Sequence, residues 1–170
     1  MTAFVALLRG INVGGTGKLA MSDLRALCQD AGFQNVRTYI ASGNVVFTSP
    51  LSEQEVKETL EVRLRDHAGT PIGAMVRTAA EMAAVLAHNP FLEAPEDRVV
   101  AIFLDSPASS DLLSGVTGQA EDEQIRIGCR EIYVWYGHGQ GNSKLRIPAA
   151  KAGTARNMNT IAKLAEMAAQ

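Results

Sequence analysis

Cysteine is scarce in this 170-residue chain. Only Cys28 and Cys129 occur, about a hundred residues apart and with no Cys-x-x-Cys spacing. That excludes a disulfide framework and a thiol metal site, and it reads as two free thiols of a reducing, cytoplasmic setting. Histidine is equally thin: His67, His88 and His138 lie far apart with no paired ligand spacing, so no metal is expected. Aromatics make up 5% of the residues, and no basic-aromatic strand of the RNA-recognition type occurs. The formal net charge is only -2, which gives no global reason for a nucleic-acid partner. No apolar run approaches the roughly 18 residues of a membrane span. The start, MTAFVALLRGINVGG, has an apolar run of about six residues closed by Arg9. A secretory leader wants a basic residue before a longer run, so this segment reads as a buried strand.

What remains is an ordinary globular composition, 46% apolar and 20% charged. A chain of this length buries roughly 70% of its unfolded surface, so its core needs no staple. Phe4 to Leu8 predicts a central strand and Gly10 to Lys18 a turn-rich loop. A helix follows, with Ser22 as its expected N-cap, Leu24, Leu27 and Cys28 on one face, and Gly32 as its stop. Val36 to Ile40 and Val45 to Phe47 flank Ser42-Gly43-Asn44, a strong hairpin signal. Ser52 and Glu55 form a capping box ahead of Val56, Leu60 and Leu64, and Pro71 to Arg77 is a fourth strand. Residues 1–77 therefore follow the βαββαβ order of a ferredoxin-like, split-βαβ unit.

Residues 78–98 read as a linking helix and connection. The pattern then restarts over 99–170. Val99 to Leu104 is a strand, Ser109 to Leu113 a short helix, and Ile125 to Ile127 with Ile132 to Tyr136 a hairpin. The final helix is predicted from Thr154 as N-cap, with Arg156 and Asn157 in its first turn. The expected fold class is α+β, two βαββ-type ferredoxin-like subdomains in tandem, the second lacking its last strand.

Two features could carry chemistry. The loop Gly10 to Lys18 can turn backbone N–H groups around an anion, with Lys18 adding charge. It is not a P-loop: Asn12 stands where the first glycine should be, and Leu19 where Ser or Thr should hold magnesium. Gly15-x-Gly17-x-x-Ala20 matches only the loose dinucleotide pattern, and no acid closes the second strand. The second feature is electrostatic. From Asn142 onward Lys144, Arg146, Lys151, Arg156 and Lys163 face the single acid Glu166, whereas Glu81 to Glu123 carries nine acids against Arg98 alone. Such asymmetry can build a positive face. Asn157 adds a polar group suited to a ligand's hydrogen-bonding edge. No nucleophile elbow is present, Ser42 has no neighbouring histidine in sequence, and Glu121-Asp122-Glu123 reads as a solvated turn.

Four segments, LLRGINVGG (7–15), YIASGNVVF (39–47), SKLRIP (143–148) and TARNMNTIAKL (154–164), resemble in this order the bacterial family of unknown function DUF1697. The resemblance spans essentially the whole chain and departs where Met158 replaces the family's tryptophan. It implies a small α+β protein with ferredoxin-like subdomains and names no reaction and no cofactor. Its motifs include Arg9, Asn12, Gly14, Gly15, Ser42, Asn44, Lys144 and Arg156. With Lys18 and Asn157 these make the candidate ligand-binding set. The reading is a small anionic ligand, a nucleotide or other phosphate compound, held by the glycine loop and the basic segment. The alternative is a non-catalytic adaptor or nucleic-acid binder using the basic face.

Overall fold

The computed structural model of the chain describes residues 1–12 and 18–170. It divides into two compact units: Met1–Met82 with Leu164–Gln170, and Ala83–Lys163.

In the first unit the order is β1 (Thr2–Leu8), α1 (Met21–Asp30), β2 (Gln34–Tyr39), β3 (Asn44–Ser49), α2 (Glu53–Ala68), β4 (Ala74–Thr78) and the start of α3 (Ala79–Ala87). The four strands form an antiparallel sheet in the order β2-β3-β1-β4. Phe4, Ala6 and Leu8 of β1 point to the core shared with Leu24 and Cys28 of α1 and Val56, Leu60 and Leu64 of α2. Phe47 stacks on Phe33 at a centroid distance of 4.3 Å and lies 6.0 Å from Phe4. Val5 and Leu7, on the opposite face of β1, are also fully buried. A strand covered on both faces is why the sequence shows a continuous apolar run there rather than alternation.

The capping box of α2 forms as its sequence predicts. Glu55 N donates to Ser52 Oγ at 3.2 Å and Ser52 N to Glu55 Oε2 at 3.0 Å. Lys57 donates to Glu61 and to the Ala74 carbonyl while Ala74 N donates to Glu61, which pins α2 to the start of β4. The expected cap of α1 does not hold: Ser22 lies inside the helix, and the N-cap is Ala20, with no side-chain hydrogen bond.

In the second unit β5 (Val99–Phe103), β6 (Gln124–Ile127), β7 (Glu131–Trp135) and β8 (Thr154–Asn157) form an antiparallel sheet in the order β6-β7-β5-β8. Val100, Ile102, Ile132 and Val134 supply its core, with Leu112 and Leu113 of a short 3-10 turn packed on it. The second half therefore does have its last strand, contrary to the sequence reading. Residues 154–157 are too short and too polar for a strand signal, and they run straight into α4 (Met158–Ala168). A signal was nevertheless present at Gly153, where a Cβ would stand 2.5 Å from the Phe103 carbonyl oxygen. Only glycine lets the chain approach β5 that closely.

The strand also corrects the expected start of the last helix. Thr154 is in β8, and Asn157 is the cap, its Oδ1 accepting from Thr160 N at 2.9 Å. Asn157→Ala is expected to cost about 1 kcal/mol of stability, read as a lower midpoint in urea unfolding with unchanged slope. At the other end of α4, Arg37 Nη2 donates to the Met167 carbonyl at 2.6 Å and Nη1 to Gln170 Oε1 at 2.8 Å. That arginine adds a short bond to a helix-end carbonyl whose backbone partner, Gln170 N, is a long 3.4 Å away. No helix among the described residues is long and apolar enough to cross a membrane.

Candidate functional site

Asn12 sits in the left-handed region (φ 55), a conformation its short amide tolerates. Its side chain acts like a peptide group. Nδ2 donates to the Leu19 carbonyl at 2.9 Å, and Oδ1 accepts from Leu19 N at 2.9 Å. Nδ2 also donates to the Ala41 carbonyl at 2.7 Å. Both amide hydrogens are thus committed to backbone, and Asn12 ties the two ends of the loop to each other and to the β2-β3 turn. Gly14 and Gly15, expected to supply backbone donors, lie outside the described residues.

Ser42 and Asn44 are turn residues. Asn44 is fully buried, and its Nδ2 donates to the Tyr39 carbonyl and to Ser42 Oγ, both at 2.9 Å. Arg9 is half-buried, with its Cδ 3.2 Å from where a Cβ on Gly73 would be. Lys18 is exposed and has no ion-pair partner among the described residues. It lines an open pocket of about 360 Å³ together with Asn12, Leu19, Ala20, Met21 and Ala41. The pocket therefore sits at the start of α1, where the first-turn N–H groups have no side-chain cap. Unpaired N–H groups and the helix dipole make such a start electropositive. Asp23, in the same turn, has its carboxylate 3.9 Å from His67.

The basic segment, which belongs to the second unit, is less uniform than its charge count. Arg156 is only 8% exposed, in β8. Its Nη1 donates to Thr154 Oγ1 at 2.7 Å and to the Ala155 carbonyl at 2.9 Å. Burial pushes this guanidinium down to about 10, because removing a cation from water disfavours its charged form. Lys144 is exposed, but it shares a pocket with Asp122 and Glu123. Those acids were read from sequence as a solvated turn, yet Glu123 is 6% exposed. Its Oε1 accepts from Ala120 N at 2.8 Å, and its other oxygen accepts from Ser143 Oγ. A run of three acids gives no hint of which one turns inward; here the return of residues 137–145 selects Glu123. Among the described residues no group of His, Cys, Asp and Glu could hold a metal ion.

Three comparisons bear on identity. A solved structure described as the conserved bacterial protein SP0830 from Streptococcus pneumoniae is similar over 98% of each chain, at 26% identity and a TM-score of 0.81. No curated protein matches the chain. The family profile that matches covers residues 1–133, which takes in the glycine loop and the β2-β3 turn and stops before the segments 143–148 and 154–164. On that match the chain belongs to the family described as protein of unknown function (DUF1697).

Proposed function

We propose that the protein binds a small anionic ligand, a nucleotide or other phosphate compound, at the start of α1. The observation that carries the reading is the position of Lys18. It is an exposed cation lining a pocket that includes Ala20 and Met21, at the uncapped start of a ten-residue helix. Helix N-termini accept anions through unpaired N–H groups and a partial positive charge, and a neighbouring ammonium adds a charge-assisted bond. In this reading Asn12, bonded to Leu19, holds the two ends of the Gly10–Lys18 loop together before the ligand arrives. Fixing the ends of a binding loop beforehand lowers the entropy lost on binding.

The tandem ferredoxin-like architecture is the scaffold that this proposal assumes, with 1–77 and 99–170 as its two halves. The support is the matched sheet order, β2-β3-β1-β4 and β6-β7-β5-β8, in which each strand of one set has its counterpart at the same place in the other.

Thermal unfolding in inorganic phosphate and in a nucleoside monophosphate tests the function. A ligand at about 100 times its Kd adds roughly 2.7 kcal/mol, which for a protein of this size raises the midpoint by about 5–10 °C. Lys18→Ala should weaken binding at least about tenfold, since a hydrogen bond to a charged group contributes roughly 1.5–3 kcal/mol. No shift with either anion at millimolar concentration, or an equal shift in Lys18→Ala, overturns the proposal.

A further inference from the structure

A different pocket, within the second unit, is built from groups of both charges. Residues 118–123 and 138–144 enclose about 290 Å³ lined by Asp122, Glu123, His138, Asn142, Ser143 and Lys144, among others. The two carboxylates are held in different ways. Asp122 is paired with the exposed imidazole of His138. Glu123 is fixed from beneath by Ala120 N and from the side by the Ser143 hydroxyl, which itself accepts from Leu145 N at 3.0 Å. Ser143 therefore ties the chain immediately before Lys144 to Glu123, which fixes where the lysine side chain starts in the wall. Tyr136 nearby has its phenol pushed up by burial and then by the charge of Glu123, as expected beside an ionised carboxylate.

This charge pattern selects a ligand. A plain anion attracted to Lys144 would meet Asp122 and Glu123 in the same space, and like charges in one pocket repel. A plain amine would satisfy the carboxylates and leave the lysine unmatched. We infer that this pocket binds an amino-acid-sized zwitterion, its ammonium group toward Asp122 and Glu123 and its carboxylate toward Lys144. The volume, about 290 Å³, falls just below the range of about 300 to 1,000 Å³ for drug-sized ligand pockets, which suits a ligand this small. The inference is independent of the anion site at Lys18 and accounts for the Ser143-Lys144 pair that the anion reading leaves unused.

The experiment is an amide-resolved NMR titration of the full chain with individual L-amino acids. For one that binds, it is repeated with the matching decarboxylated amine and the matching deaminated acid. The zwitterion should shift amides in 118–123 and 138–145, and each half-ligand should bind at least about tenfold more weakly, the effect of one lost charged hydrogen bond. Lys144→Ala should weaken the zwitterion at least about tenfold and leave the amine no weaker than in the parent, since a neighbouring like charge is removed. Lys144→Gln, which keeps the side-chain length, should do the same. Asp122→Asn should weaken both zwitterion and amine. If no amino acid shifts these amides at millimolar concentration, if the amine binds as tightly as the zwitterion, or if both Lys144 variants bind like the parent, the inference fails.

Discussion

Gly43→Ala is expected to destabilise the protein by about 2–5 kcal/mol, from a left-handed backbone penalty of about 1–2 kcal/mol and a packing clash of about 1–3 kcal/mol. Gly43 has φ +90, and a Cβ there would stand 2.5 Å from Ile11 Cδ1 and 3.0 Å from Leu8 Cβ. The isoleucine tip can rotate away. The Leu8 Cβ cannot, because Leu8 is held in β1 and its N–H donates to the Gly43 carbonyl at 2.9 Å. The control is Gly32→Ala, at nearly the same φ of +88 with nothing within 4 Å of the new Cβ. It should lose only the backbone penalty. Urea unfolding of the two variants therefore separates strain from sterics, and equal losses would show that the clash at Ile11 and Leu8 relaxes freely. Because the β2-β3 turn also receives the Asn12 side chain at Ala41, Gly43→Ala should weaken that hydrogen bond as well.

That turn also shows why part of the fold was legible. Ser-Gly-Asn between two β-branched runs has a local mechanism, since φ > 0 at glycine and a short amide to close the turn leave few alternatives. The capping box at Ser52 and Glu55 is likewise written within four residues, and it forms. Features that depend on distant chain were not readable. Arg156 was placed at a helix start as an anion-holding cation, but pairing of Ala101 with Arg156 makes it a strand residue with its guanidinium buried. The charge count assigns Lys144 to a positive face, but Asp122 and Glu123, about twenty positions earlier, line the same pocket. A local charge balance averages along the chain, whereas a ligand meets the balance in space. Lys18 is exposed, and its pocket neighbours Leu19 to Met21 adjoin it in sequence, while Asn12 and Ala41 come from farther away in the chain.

Raising the pH from about 8 to 10.5 is expected to remove about 2 kcal/mol through Cys28 alone, at about 1.4 kcal/mol per pH unit of the window in which the folded and unfolded thiols differ. Cys28 is fully buried between α1 and the sheet, and burial pushes its thiol from 9.0 up to about 12. The sign follows from proton counts. Below about pH 9 the thiol is protonated in both states, and its contribution is fully present. Between about 9 and 12 the unfolded chain has released the proton while the folded protein keeps it, so stability falls as pH rises. Tyr133 and Tyr136 act in the same direction. Burial is the larger cause for both phenols, reinforced for Tyr133 by Glu131 and Cys129 and for Tyr136 by Glu123. The measurement is urea unfolding at both pH values for the parent and for Cys28→Ala. The variant starts lower, because a small cavity replaces the sulfur, yet it should lose about 2 kcal/mol less on going to pH 10.5. Lysine deprotonation and general charge repulsion affect both proteins alike and cancel in the comparison. A thiol reagent at pH 8 supplies the kinetic counterpart: the exposed Cys129 should react quickly and Cys28 only on unfolding. Parallel loss of stability in the two proteins would mean that the thiol finds water, or a cation, when it ionises in the folded state.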